Sequence, residues 1–104
     1  MKNVNKEEWK ELLANANNSV ILDVRTPAEC MEGIQPGASQ VNIMNGAEFM
    51  DAMKKWDKSK TYFVYCRSGN RSGQACQIME SHGITNTYNL LGGMMSWDGE
   101  VVQP

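Results

Sequence analysis

The chain has 104 residues, 41% of them hydrophobic and 21% charged, with a net charge of −2 and a pI near 5.3. That length holds one hydrophobic core, so residues 1–104 are expected to form a single domain. The acidic balance argues against a nucleic-acid binder, which needs a basic surface against phosphate, and no apolar run approaches the roughly 18 residues of a membrane span.

In chain order, Asn5 to Ala14 reads as a helix with Trp9, Leu12 and Leu13 on one face, entered through an Asn5-x-x-Glu8 capping box. Val20-Ile21-Leu22-Asp23-Val24 is an apolar strand broken only by Asp23. A short helix should follow, with Thr26 as N-cap, Pro27 at its first position, Glu29 at the third and Gly33 beyond its end. Val41 to Met44 reads as a second strand. Ala47 to Trp56 is an amphipathic helix presenting Phe49, Met50 and Met53, entered through Asn45 with Glu48 at its third position. Thr61 to Tyr65 is a third strand, Ser72 to His82 a helix stopped by Gly83, and Thr87 to Leu91 a fourth strand. Gly92-Gly93 then opens a last helical turn carrying Met94, Met95 and Trp97. Short buried strands alternating with helices imply an α/β fold on a mostly parallel sheet.

The chemistry concentrates where the third strand ends, in Cys66-Arg67-Ser68-Gly69-Asn70-Arg71-Ser72. Ligands of open α/β sheets bind beyond the carboxyl ends of strands, and a helix N-terminus there adds roughly half a positive charge. Arg67 and Arg71 add full charges. Gly69 and Asn70 tolerate the backbone angles that turn free N–H groups inward. Such surroundings lower a cysteine pKa from about 8.5 to roughly 3.5–7.5, so Cys66 is expected to be a thiolate; two arginines suit a buried structural cysteine poorly. The sole histidine, His82, lies ten helical residues on, about 15 Å away. A Cys-His pair is therefore not available along this helix, and the chemistry must release a group that needs little proton help.

Four segments together resemble a single-domain rhodanese. They are Leu22-Asp23-Val24-Arg25, Glu29 with Gly33 to Ala38, Cys66 to Ser72, and Leu91-Gly92-Gly93-Met94-Met95-Ser96-Trp97. The resemblance implies a three-layer fold with a mostly parallel sheet of about five short strands flanked by helices, and sulfur transfer through a Cys66 persulfide. Many members carry Gly-His-Ile-Pro-Gly-Ala where this chain has Ile34 and Gln35, a departure at a position that is usually structural. Related phosphatases and arsenate reductases use a longer Cys-x5-Arg loop around a tetrahedral oxyanion. Here only Arg67 to Asn70 separate Cys66 from Arg71, which resembles the loop that holds a persulfide sulfur.

The resemblance implies a small anionic sulfur donor such as thiosulfate, bound by Arg67 and Arg71, with an inward, loop-supporting Arg71 as the alternative. Ser68, Gly69, Asn70 and Ser72 complete the cradle, Ser72 doubling as a candidate helix N-cap. The acceptor is expected to be cyanide or a thiol, a thioredoxin-like protein included, and the chain a monomer or weak dimer with no cofactor. Asp23, Arg25 and Glu29 are expected to support the site, Arg25 through an ion pair in which Glu29 is a plausible partner. Two other readings stay open: a non-catalytic sulfur-relay or regulatory module, and a phosphatase or arsenate reductase of the same fold.

Cys30 and Cys76 form neither Cys-x-x-Cys nor zinc spacing, and the methionines read as core filler rather than metal ligands, so no metal is expected. Cys76 reads as core beside Met79, and Cys30 has a minor alternative as a resolving thiol. The unpaired cysteines and the lack of a signal-peptide core in Met1–Asn5 point to the cytoplasm, a mature periplasmic form with its leader removed being the alternative.

Overall fold

The computed structural model describes residues 1–104. The elements are β1 (Lys2–Val4), α1 (Lys6–Asn15), β2 (Ser19–Asp23), α2 (Pro27–Cys30), β3 (Ser39–Gln40), α3 (Gly46–Met53), β4 (Thr61–Tyr65), α4 (Asn70–Ser81), β5 (Thr87–Leu90) and a 3₁₀ turn, Gly93–Ser96. The five strands form one sheet in the order β1-β5-β4-β2-β3, and every pairing is parallel. This is the expected α/β architecture.

Strand β4 sits at the centre, and its alternation divides the core in two. Tyr62, Val64 and Cys66 face α3 and α4, packing with Leu22, Phe49, Met53, Ala75, Cys76 and Met79. Phe63 and Tyr65 face the other way, onto Val4, Trp9 of α1 and Leu90. Helices on both faces bury the sheet, and this makes three layers. Burying a large apolar side chain in this way contributes about 1.5–3 kcal/mol. The indole of Trp9 meets Phe63 and Tyr65 edge-on at 5.3 and 6.1 Å between ring centres.

Local signals place most elements. The capping boxes Asn5/Glu8 and Thr26/Glu29 both form, and the Asn45 side chain accepts from the Glu48 N–H to start α3. Three elements differ from expectation. Strand β1 went unrecognised because three residues carry no periodicity; its pairing with β5 defines it, with Asn3 opposite Asn89. The strand expected at Val41 to Met44 lies earlier, at Ser39–Gln40. Val41 and Ile43 still hydrogen-bond to the carbonyls of Asp23 and Val24, at 2.9 and 3.2 Å, but leave the sheet as a turn. Helix α4 begins at Asn70 with Gly69 as its N-cap, two residues before the expected start.

Gln35, the departure from the common pattern, is buried and satisfied. Its Oε1 accepts from Trp9 Nε1 at 3.0 Å, and its backbone N–H donates to the Tyr65 hydroxyl at 3.0 Å. Side chain and backbone of this residue together therefore tie α1 to the central strand without leaving an orphaned polar group.

Candidate active site

Register brings the site together. Asp23 of β2 lies opposite Tyr65 of β4, so Arg25 and Cys66 both follow the carboxyl ends of adjacent parallel strands. Val64 lies opposite Asn89, so β5 ends beside the Cys66 loop. Gly69 takes φ 104°, a left-handed conformation that costs glycine little and turns the chain sharply into α4. Beneath the loop, Met94 and Met95 N–H groups donate to the carbonyls of Cys66 and Arg67, each at 3.0 Å. Gly93 lies so close to these carbonyls that a Cβ would collide with the Cys66 backbone, which gives the Gly92-Gly93 pair its physical reason.

The Cys66 side chain is 0% exposed. Its Sγ accepts from the Gly69 N–H at 3.1 Å and lies 3.3 Å from Ser72 Oγ. Burial by itself pushes the thiol up. Hydrogen bonds from the Ser72 hydroxyl and from the Ser72, Gly69 and Ser68 N–H groups outweigh that, and the thiol titrates below its ordinary value. The start of α4 adds its partial positive charge at the same place. Ser72 is the third residue of α4 and turns its hydroxyl inward. It is not the N-cap, because Gly69 holds that position without a side-chain cap.

The arginines divide into three roles. Arg71 makes a two-pronged pair with Glu29, Nη1 to Oε1 and Nη2 to Oε2, both at 2.7 Å. This locks the first turn of α4 to α2, so Arg71 supports the loop and its charge is neutralised. Arg25 pairs with Asp23 rather than with Glu29, at 2.7 Å from Nη2 to Oδ2, and also donates to the Gly33 carbonyl at 2.7 Å. Arg67 makes no ion pair. It lines a cleft of about 280 Å³ with Arg25, Glu29, Glu32, Gly33, Met94, Met95 and Val101, directly beside the loop. Ser68 and Asn70 are exposed at the loop surface, Ser68 with its side chain outward and its N–H offered to the sulfur.

The sequence was matched by the rhodanese-like domain family over residues 5–100. The chain belongs to that family. A sulfurtransferase of Allochromatium vinosum is 33% identical over 94 residues, 90% of this chain and 85% of that one. A thiosulfate:glutathione sulfurtransferase of Saccharomyces cerevisiae is 30% identical over 88% of this chain and 73% of its own length. Among solved structures, a rhodanese-like domain protein of Staphylococcus aureus superposes with a TM-score of 0.85 at 28% identity, covering 100% of this chain and 99% of that one. The chain also spans about a third of tRNA uridine(34) hydroxylases, larger proteins that include a related segment. The sulfurtransferase relatives, matched over most of their own length, support a sulfurtransferase activity for this rhodanese domain.

The other two cysteines and the histidine of the rhodanese domain lie outside the loop. Cys30 and Cys76 are buried, and burial pushes each thiol up to about 11. His82 closes the far end of α4, its Nδ1 2.9 Å from the Ile78 carbonyl. Asn89, which the sequence did not single out, reaches Ser72 from β5.

The Glu29–Arg71 pair makes stability depend on acid. The Arg71 hydrogen bonds, opposed by burial and assisted by Thr26, hold the Glu29 carboxyl at about 2, below its ordinary 4.5. Its contribution is therefore complete above pH 4.5 and is lost as pH falls toward 2. Glu29→Gln should be less stable than the parent by about 1–3 kcal/mol at neutral pH, the charge-assisted range. Urea unfolding across pH should record that gap closing in acid; a gap independent of pH would contradict it.

Proposed function

We propose that Cys66 carries sulfane sulfur as a persulfide, taking it from a small anionic donor such as thiosulfate and passing it to a thiol or to cyanide. The observation that carries this reading is a thiol whose ionised form is favoured by backbone N–H groups and Ser72, in a loop that also holds an unpaired Arg67 and with no general base in contact. The Cys66 thiolate attacks the outer sulfur of thiosulfate. The sulfur–sulfur bond breaks, and sulfite departs with the bonding pair. Sulfite is a stable anion, so no proton donor is required. The loop N–H groups and the α4 N-terminus stabilise the resulting persulfide anion. In the second half, an acceptor thiolate attacks the terminal sulfur, and the Cys66 thiolate is the leaving group.

Arg67 is the arginine free to attract the donor, because Arg25 and Arg71 are each matched by a carboxylate. The four-residue spacing from Cys66 to Arg71 supports sulfur rather than phosphoryl chemistry, since it leaves a cradle for one sulfur atom. Incubation with thiosulfate followed by intact-mass measurement should record one added sulfur that cyanide removes. No uptake from thiosulfate, polysulfide or a persulfide donor protein would overturn the reading.

A further inference from the structure

Ser72 is 0% exposed and stands between two acceptors. Its Oγ is 2.5 Å from Asn89 Oδ1 and 3.3 Å from Cys66 Sγ. A serine hydroxyl has one proton, so it cannot donate to both. The orientation of the Asn89 amide is fixed by its other end, where Nδ2 donates to Asn3 Oδ1 at 2.9 Å and to the Gly69 carbonyl at 3.2 Å. A flipped amide would set an oxygen against both of those acceptors. Asn89 is itself 3% exposed, so this network is shielded from water, where polar contacts count most.

We infer that Asn89 is a positioning residue that acts on Cys66 through Ser72, its carbonyl competing with the thiolate for the Ser72 hydroxyl proton. When Cys66 is a thiol, its S–H donates to Ser72 Oγ and the hydroxyl donates to Asn89, so every group is satisfied. When Cys66 ionises, its proton leaves to solvent and the hydroxyl rotates toward sulfur. No covalent bond changes. The rotation leaves two oxygens facing each other across the Ser72–Asn89 contact without a proton between them, and that opposes it. Asn89 thus holds the thiol above the value that the loop alone would set. The gain is nucleophilicity, which falls as a thiol's pKa falls, so a thiolate held too tightly attacks more slowly.

The charged and titratable groups on the elements around this sulfur are Arg67 in the loop, Arg71 in the first turn of α4 with its partner Glu29 from α2, Cys76 farther along α4, and Arg25 from the end of β2; β5 faces it with the Asn89 amide. Besides Cys66 Sγ, the Asn89 amide is the side chain within hydrogen-bond distance of Ser72 Oγ; its removal also frees the Gly69 carbonyl, and the Ser72→Ala background separates the two effects, because only one passing through Ser72 vanishes there. The inference rests on Cys66 as the nucleophile, and titrating the thiol needs no sulfur donor. A failure of sulfur uptake and a failure of this inference are therefore read separately.

The test is the pH dependence of Cys66 alkylation by iodoacetamide, followed by mass. Cys30 and Cys76 titrate near 11 and stay silent at neutral pH. Asn89→Leu should lower the Cys66 pKa by about one unit, the size of one hydrogen bond to a charged group. Ser72→Ala should raise it by a similar amount, and adding Asn89→Leu to Ser72→Ala should change nothing further. Should Asn89→Leu not fold, Asn89→Ala tests the same sign. An unchanged or raised pKa in the single Asn89 variant, or an equal lowering in the Ser72→Ala background, would overturn the inference.

Discussion

Cys66→Ser is expected to fold and to take up no sulfur. The substituted hydroxyl is smaller than the thiol but polar, and it enters a site that already offers the Gly69 N–H and the Ser72 hydroxyl. Stability should therefore change by only about 1 kcal/mol, a few degrees in melting temperature. Activity should not survive. A hydroxyl is not ionised by a nest that suffices for a thiol, and it forms no persulfide. Loss of the nucleophile in a covalent mechanism costs roughly 10³-fold or more. Intact mass after thiosulfate treatment, with sulfite release measured in parallel, checks both points. A Cys66→Ser protein that still gains cyanide-labile sulfur would assign the carrier to Cys30 or Cys76. Their burial and raised thiols argue against that.

Cys66 and its loop were legible because they are local. An apolar run ending in a cysteine, followed by Gly69 and a helical stretch, places a strand end, a turn and a helix N-terminus within a dozen residues. The capping boxes were legible for the same reason, each needing two side chains three positions apart. What the sequence concealed was partnership across distance. Two arginines and two carboxylates stand near the site, and nothing local says that Arg71 meets Glu29, 42 residues away, while Arg25 meets Asp23, two residues away. Sheet register decides it, by setting β2 beside β4. Asn89 was hidden similarly. In Thr87 to Leu90 it reads as the polar residue of an alternating strand, and only the parallel pairing with β4 and β1 turns its amide onto Ser72 and Asn3.

Once the pairs are assigned, the electrostatics of the site simplify. Three arginines approach the cleft, but two arrive with a carboxylate attached, so Arg67 is its one arginine without an ion pair, facing the unpaired carboxylate of Glu32 in the same lining. The paired arginines do mechanical work: Arg71 fixes α4 to α2, and Arg25 fixes the end of β2 to the Gly33 carbonyl. The ionised form of Cys66 is consequently favoured mostly by hydrogen bonds and backbone dipoles, which sit in place before any ligand arrives.

Asp23→Ala should be the most damaging single substitution in this supporting frame. The Asp23 side chain is 0% exposed and that of Arg25 only 6%, and three Arg25 donors converge on one carboxylate: the backbone N–H, Nε and Nη2. Removing the carboxylate leaves a buried guanidinium with the Gly33 carbonyl as its remaining hydrogen-bond partner. Breaking a buried pair from one side costs about 3–5 kcal/mol, against a total stability of about 5–15 kcal/mol for a domain of this kind. At roughly 4–8 °C per kcal/mol for a domain near this size, the melting temperature should fall by roughly 15 °C or more. Much of that cost is the stranded charge rather than the lost attraction. The double variant Asp23→Leu with Arg25→Met, which removes both charges, should therefore recover most of the stability. Urea unfolding of the three proteins distinguishes the cases. A loss below about 1 kcal/mol in Asp23→Ala would mean that Arg25 swings into solvent and that the pair does not hold the end of β2.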